Sequence, residues 1–163
     1  MPREHADIKM TPEELRAFLL TDTRLVVGTL DPDGGPWADA AAYTFVDERV
    51  WFRLPADTHT ARNLANDPRV CVVVESKPAL SSYYDIKGAM IHGSVEEVAT
   101  GDLPAAVADA LGAIADPVEP SATGPTVVYA VGLDDVVSFV FAKIKYRYED
   151  RPLEKIQAEV GLA

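Results

Sequence analysis

The chain has 163 residues, of which 48% are hydrophobic, and its 26 acidic and 15 basic side chains give a formal charge of -11. That length supports one sizeable core and leaves no linker between two ordinary domains, so a single domain over residues 1–163 is expected. The negative field opposes polyanions, which argues against nucleic acid and anionic membrane surfaces as partners. A single cysteine, Cys71, excludes an intrachain disulfide and a cysteine-built metal site.

Met1 to Asp7 lacks the apolar core of a signal peptide, and no stretch approaches the roughly 20 apolar residues of a membrane span, so a cytoplasmic location is expected. Thr11-Pro12-Glu13-Glu14 forms a capping box with Pro at the first helical position, which predicts a helix from Pro12 to Leu20. Leu15, Phe18 and Leu19 give that helix one apolar face. Arg24 to Leu30 reads as a strand, and Asp31-Pro32-Asp33-Gly34-Gly35 turns it into a hairpin. Strands at Pro36–Val46 and Arg49–Leu54 follow, joined by the short turn Asp47-Glu48. A short helix fits Thr58 to Asn66, with Thr58 or Asp57 as its cap.

Arg69 to Val74 is a nearly continuous apolar strand, in which Cys71 is expected to be a buried small apolar residue. Lys87 to Val98 reads as strand, Leu103 to Ile114 as helix, and Asp116 to Pro125 as a Pro-rich loop. Val127–Val131 and Val136–Tyr148 complete the strands, and Leu153–Val160 predicts a terminal helix. About six antiparallel strands joined mostly by short turns argue for an α+β barrel over a doubly wound sheet. Neither a Gly-x-Gly-x-x-Gly fingerprint nor a Walker loop occurs, so a Rossmann-type site is not supported.

The densest chemistry lies between Arg53 and Arg62, where a strand ends and a helix begins with Thr58, His59 and Thr60 between the two arginines. Unpaired N–H groups of a helix start, Thr hydroxyls and Arg guanidinium groups together hold a phosphate. The plainer reading is a capped surface helix with solvated arginines.

Val50-Trp51-Phe52-Arg53, followed by Thr58-His59-Thr60-Ala61-Arg62-Asn63-Leu64-Ala65-Asn66-Asp67-Pro68-Arg69-Val70, resembles the corresponding run of the pyridoxamine 5'-phosphate oxidase-like superfamily. Leu25 to Pro36 resembles that family's first hairpin, and Ile86-Lys87-Gly88-Ala89 through Gly93-Ser94-Val95 its later strand. The likeness is specific over residues 11 to 98 and general beyond Thr100.

The resemblance implies an α+β fold, a six-stranded antiparallel split β-barrel with short flanking helices. It also implies a homodimer with two flavin sites at the subunit interface, and FMN phosphate held by Arg53, Thr58, His59, Thr60 and Arg62. Many members carry Lys where this chain has Thr60, so either Arg62 or His59 supplies the missing charge or affinity for the cofactor falls. Late-strand residues of such barrels, often the partner's, lie over the flavin, which brings in the alternating stripe Lys143, Lys145 and Arg147. The plainer role for that stripe is an edge strand whose lysines discourage aggregation.

Tyr43, Trp37 and the pair Tyr83-Tyr84 are further candidate ring contacts, since a flavin needs apolar walls, and the plainer role for each is ordinary core or interface. Three scattered histidines make no metal-ligand set. The implied function is a flavin-dependent oxidoreductase acting on a small molecule, with no catalytic acid or base identified because the cofactor carries the chemistry. The deazaflavin coenzyme F-420 is the alternative within the fold, although its polyglutamate tail suits a basic groove better than a chain of charge -11. A non-catalytic dimeric module that binds flavin or heme is the alternative of another class.

Overall fold

The computed structural model describes residues 8–76, 86–114, 125–141 and 143. Helix α1 (Pro12–Leu19) opens on the expected capping box: Thr11 Oγ1 accepts from the Glu14 N–H, and the Thr11 N–H donates to Glu14 Oε2 at 2.7 Å. Strands β1 (Arg24–Leu30), β2 (Pro36–Val46) and β3 (Arg49–Pro55) form an antiparallel meander. The β2–β3 turn places Asp47 and Glu48 at φ 52° and 59°, the left-handed pair whose twist matches a two-residue hairpin. Helix α2 (His59–Asn66) then leads into β4 (Arg69–Glu75), β5 (Lys87–Ser94) and β6 (Glu96–Val98). A 3-10 turn at Thr100–Asp102, helix α3 (Ala105–Ala113), β7 (Thr126–Gly132) and β8 (Asp135–Val140) follow.

One antiparallel sheet runs in the order β6-β7-β3-β2-β1-β4-β5-β8, so the described residues hold eight strands where about six were expected. The difference comes largely from Lys87–Val98, which is two strands. The Val95 N–H donates to Pro68 O at 2.8 Å, and the chain bends there from the β4 side of the sheet to the β7 side. β6 is one edge and β5 lies next to the other, so residues adjacent in sequence bring the two ends of the sheet together. The sheet is therefore curled into a split barrel. Gly93 sits at the closure, where a Cβ would stand 3.2 Å from Val131 Cγ2.

The strand expected over Val136–Tyr148 ends at Val140. Residues 144–148, and with them Lys145 and Arg147, lie outside the described residues, as do Tyr83, Tyr84 and the helix expected at 153–160.

Register divides the sheet into two faces. The inner face buries Val27, Tyr43, Val50, Phe52, Val72 and Ile91 completely, with Phe18 and Leu19 of α1 and Leu64 of α2 packed against it. On the outer face, Val107 and Leu111 of α3 bury a second cluster of Trp51, Val128 and Ala130, which covers β3 and β7. The outer face of β1 and β2 has no such cover among the described residues: Val26 is 45% exposed, and Ala38 and Ala40 are exposed beside it. No described helix is long and apolar enough to cross a membrane.

Candidate functional site

Helix α2 starts where the sequence signals place it, with the Thr58 hydroxyl accepting from the Ala61 N–H and donating to Pro55 O. Its first two residues, His59 and Thr60, are turned toward the β1–β2 hairpin. His59 Nε2 lies 2.6 Å from Asp31 Oδ1, and its ring stacks on Trp37 with centroids 4.2 Å apart. Thr60 is fully buried and donates to Asp39 Oδ2 at 2.6 Å. That same carboxylate oxygen accepts from Trp37 Nε1 at 3.0 Å. Asn63, one turn along the helix, donates to Asp31 Oδ1 at 2.8 Å and to Thr29 Oγ1 at 3.1 Å. The bonds from His59 and then Asn63 hold the Asp31 carboxyl below the usual carboxylate range.

The corner is thus a polar network of two carboxylates, two helix-start side chains, an indole and an amide. Of the residues expected to grip a phosphate, Thr58, His59, Thr60 and Arg62 share this turn. Arg62 bends back to donate to Asp57 O at 2.7 Å. Arg53 is on the other side of the sheet: it pairs with Ala42 and Val128 on the outer face and donates to Ile114 O at the end of α3. There a guanidinium meets the carbonyl end of a helix, a favourable pairing. The charge expected in place of a lysine at Thr60 is committed elsewhere in both candidates, His59 to Asp31 and Arg62 to the Asp57 carbonyl.

Tyr43 is entirely buried in the core and donates to Leu19 O at 2.9 Å; burial pushes its phenol well above the usual range. Lys143 donates to Lys9 O and to Glu14 Oε2, tying the chain after β8 to the start of α1. That bond, ahead of the Thr11 N–H, holds the Glu14 carboxyl below its ordinary range. Lys143 therefore anchors α1 and does not meet the α2 corner within the described chain.

A groove of about 470 Å³ runs over the outer face of β1, β2 and β4, lined by Gly28, Leu30, Pro36, Trp37, Ala38 and Cys71 with Thr29, Arg69 and Val70. Trp37 and Thr29 belong to both features. Gly28 keeps the floor open, since a Cβ there would stand 3.3 Å from Cys71 O. Cys71 is only part-buried and faces this groove, and burial raises its thiol pKa, which keeps it protonated. At the far end, Arg69 Nε and Nη2 clasp the Asp67 carboxylate at 2.6–3.0 Å. That clasp, with the Arg69 N–H, lowers the Asp67 carboxyl to about 2. A second groove of about 380 Å³ lies beside Val26, Ala40 and Val73 of the same strands. Among the described residues no group of three or more His, Cys, Asp or Glu is placed to hold a metal ion.

Two signals in the sequence pointed to these missed residues. Asp39 is the lone charge in the small-residue run Ala38 to Ala42, and Gly28 interrupts an otherwise β-branched strand.

No curated protein sequence matches the chain. Among solved structures it is similar to a conserved hypothetical protein of Mycobacterium tuberculosis, with TM-score 0.68, 24% identity and coverage of 87% of this chain and 92% of that one. It is also similar to an FAD-binding protein of Mesorhizobium loti (TM-score 0.63, 18% identity, 80% and 93% covered). An FAD- and heme-binding protein of Mycobacterium smegmatis shares the fold at TM-score 0.58 and 19% identity, with 80% and 71% covered. Residues 11–138 match the model of the family described as pyridoxamine 5'-phosphate oxidase. That match spans the barrel from α1 to β8, and the chain belongs to the pyridoxamine 5'-phosphate oxidase family.

Proposed function

We propose that this chain is a flavin-binding oxidoreductase, with FMN as the cofactor and a small molecule as substrate. The observation that carries the reading is the apolar groove over Gly28, Ala38 and Cys71, on a sheet face that no described element covers, in a barrel of this family. A flavin needs flat apolar walls for its ring, hydrogen-bonding groups for its hydroxylated chain, and donors or cations for its phosphate. The groove has the volume and the apolar lining for the ring. Trp37, which lines the groove, also stacks on His59 of the polar network around α2. Two of the similar solved structures are described as FAD-binding, which supports the same ligand class.

A bound flavin supplies hydride or electron transfer, and the protein's part is to bind, orient and shield it. In that division of labour Gly28 admits the ring to the strand surface, while Leu30, Pro36 and Ala38 exclude water from one of its faces. A second copy of the chain over Val26, Ala38 and Ala40 would close the groove from the other side, which makes the functional unit a homodimer.

Fluorescence titration tests the reading. FMN emission is expected to fall on addition of the protein with a Kd below about 100 μM, equivalent to more than about 5 kcal/mol of binding. Absence of quenching at that concentration would refute it. Deazaflavin absorbance in the purified protein, in place of the flavin bands, would move the cofactor assignment to coenzyme F-420.

A further inference from the structure

The first turn of α2 has the N–H groups that suit a phosphate, yet its two leading side chains are already occupied by carboxylates. Asp31 holds His59 at 2.6 Å and Asp39 holds Thr60 at 2.6 Å. Neither contact is incidental. Asp39 is fixed by a second donor, Trp37 Nε1, and Asp31 by a second donor, Asn63 Nδ2. The arginines nearest in sequence do not offset them, because Arg62 turns to Asp57 O and Arg53 to Ile114 O across the sheet. A phosphate arriving at this turn would lie against two carboxylates, while a hydroxyl would find acceptors.

We infer that Asp31 and Asp39 close the N-terminal turn of α2 to phosphate, so that this chain selects the ring and hydroxylated chain of a flavin over its phosphate group. The choice of ligand rests on the flavin reading above; the closure itself does not. Opposition between like charges at a part-buried site changes affinity by about tenfold or more per charge. In this chain the corner therefore acts as a specificity filter, where the resemblance implied a phosphate grip.

The test compares riboflavin with FMN, which differ only by the phosphate, on the wild-type protein and on the double variant Asp31→Asn/Asp39→Asn. An amide retains an oxygen to accept from Thr60 and Trp37, and each single variant repeats the measurement if the double variant melts early. The wild type is expected to bind FMN no more tightly than riboflavin. The double variant should gain about tenfold or more for FMN relative to riboflavin. Wild-type preference for FMN of tenfold, or equal gains for both ligands, would overturn the inference.

A second arm uses no flavin. Pyrophosphate, compared with chloride at equal ionic strength, should raise the melting temperature of the double variant and not that of the wild type. An equal response in both proteins, including none in either, overturns the closure. If neither protein binds riboflavin or FMN, the oxidoreductase reading falls, and the pyrophosphate arm still decides the inference.

Discussion

The outer face of the sheet is treated in two ways within one molecule. Over β3 and β7, α3 lays Val107 and Leu111 on Trp51, Val128 and Ala130, and the face becomes a small core. Over β1 and β2, equally apolar positions carry mostly small side chains and have no cover among the described residues, with a groove running from Trp37 to Arg69. Burial is what stabilises the first half, at roughly 25 cal/mol per Å² of apolar surface removed from water. The second half forgoes that contribution. The proposed flavin site and second copy both rest on this face, which no described element covers.

Breaking the covered half should have the largest effect. Trp51→Ala removes a large buried side chain and its bond to Val46 O, and is expected to lower stability by about 3–5 kcal/mol in urea unfolding. Val26→Asp on the open half should leave the stability of the single chain within about 1 kcal/mol. If the proposed homodimer forms through this face, the same change should convert it to a monomer by sedimentation, because a carboxylate would then be buried against the second copy. Gly28→Val sharpens the comparison: the fold should survive with a cost of about 1–3 kcal/mol for crowding Cys71 O, while flavin affinity drops about tenfold or more as the groove floor fills.

The smallest effect lies at the Arg69 end of the groove. The Asp67 carboxyl sits at about 2 in the folded chain against an ordinary 3.8, so its clasp with Arg69 stabilises the fold above pH 4. That stability is lost as the pH falls from about 4 through 2, where the folded state must take up a proton it resists. Asp67→Asn should flatten this leg of the acid-unfolding curve, lowering the melting temperature slightly at neutral pH and leaving it unchanged below about pH 2.

Local signals explain what could be read from the chain. The capping box at Thr11, the Asp47-Glu48 turn and the Thr58 cap each depend on neighbours in sequence, and each is found where the sequence places it. The family resemblance supplied the barrel itself. Features that depend on how the sheet curls were not legible. Alternation along β1 and β2 marks two faces but cannot say that α3 covers only one part of the outer one. Arg53 shows the same limit: it is close in sequence to His59 but, by strand parity, lies on the opposite face. Asp31 and Asp39 reach the α2 turn only because the β1–β2 hairpin lies beside it, a contact that spans 21 to 28 positions of sequence. The separation of β6 from β5 depended on a bend at Val95 that is anchored by Pro68.

Diffraction from crystals soaked with FMN tests most directly whether the open half of the sheet is a flavin site. The expected result is a planar ring against Gly28, Ala38 and Cys71, with its phosphate away from Asp31 and Asp39. Ordered flavin at any other surface, or an empty groove at saturating FMN, would contradict it.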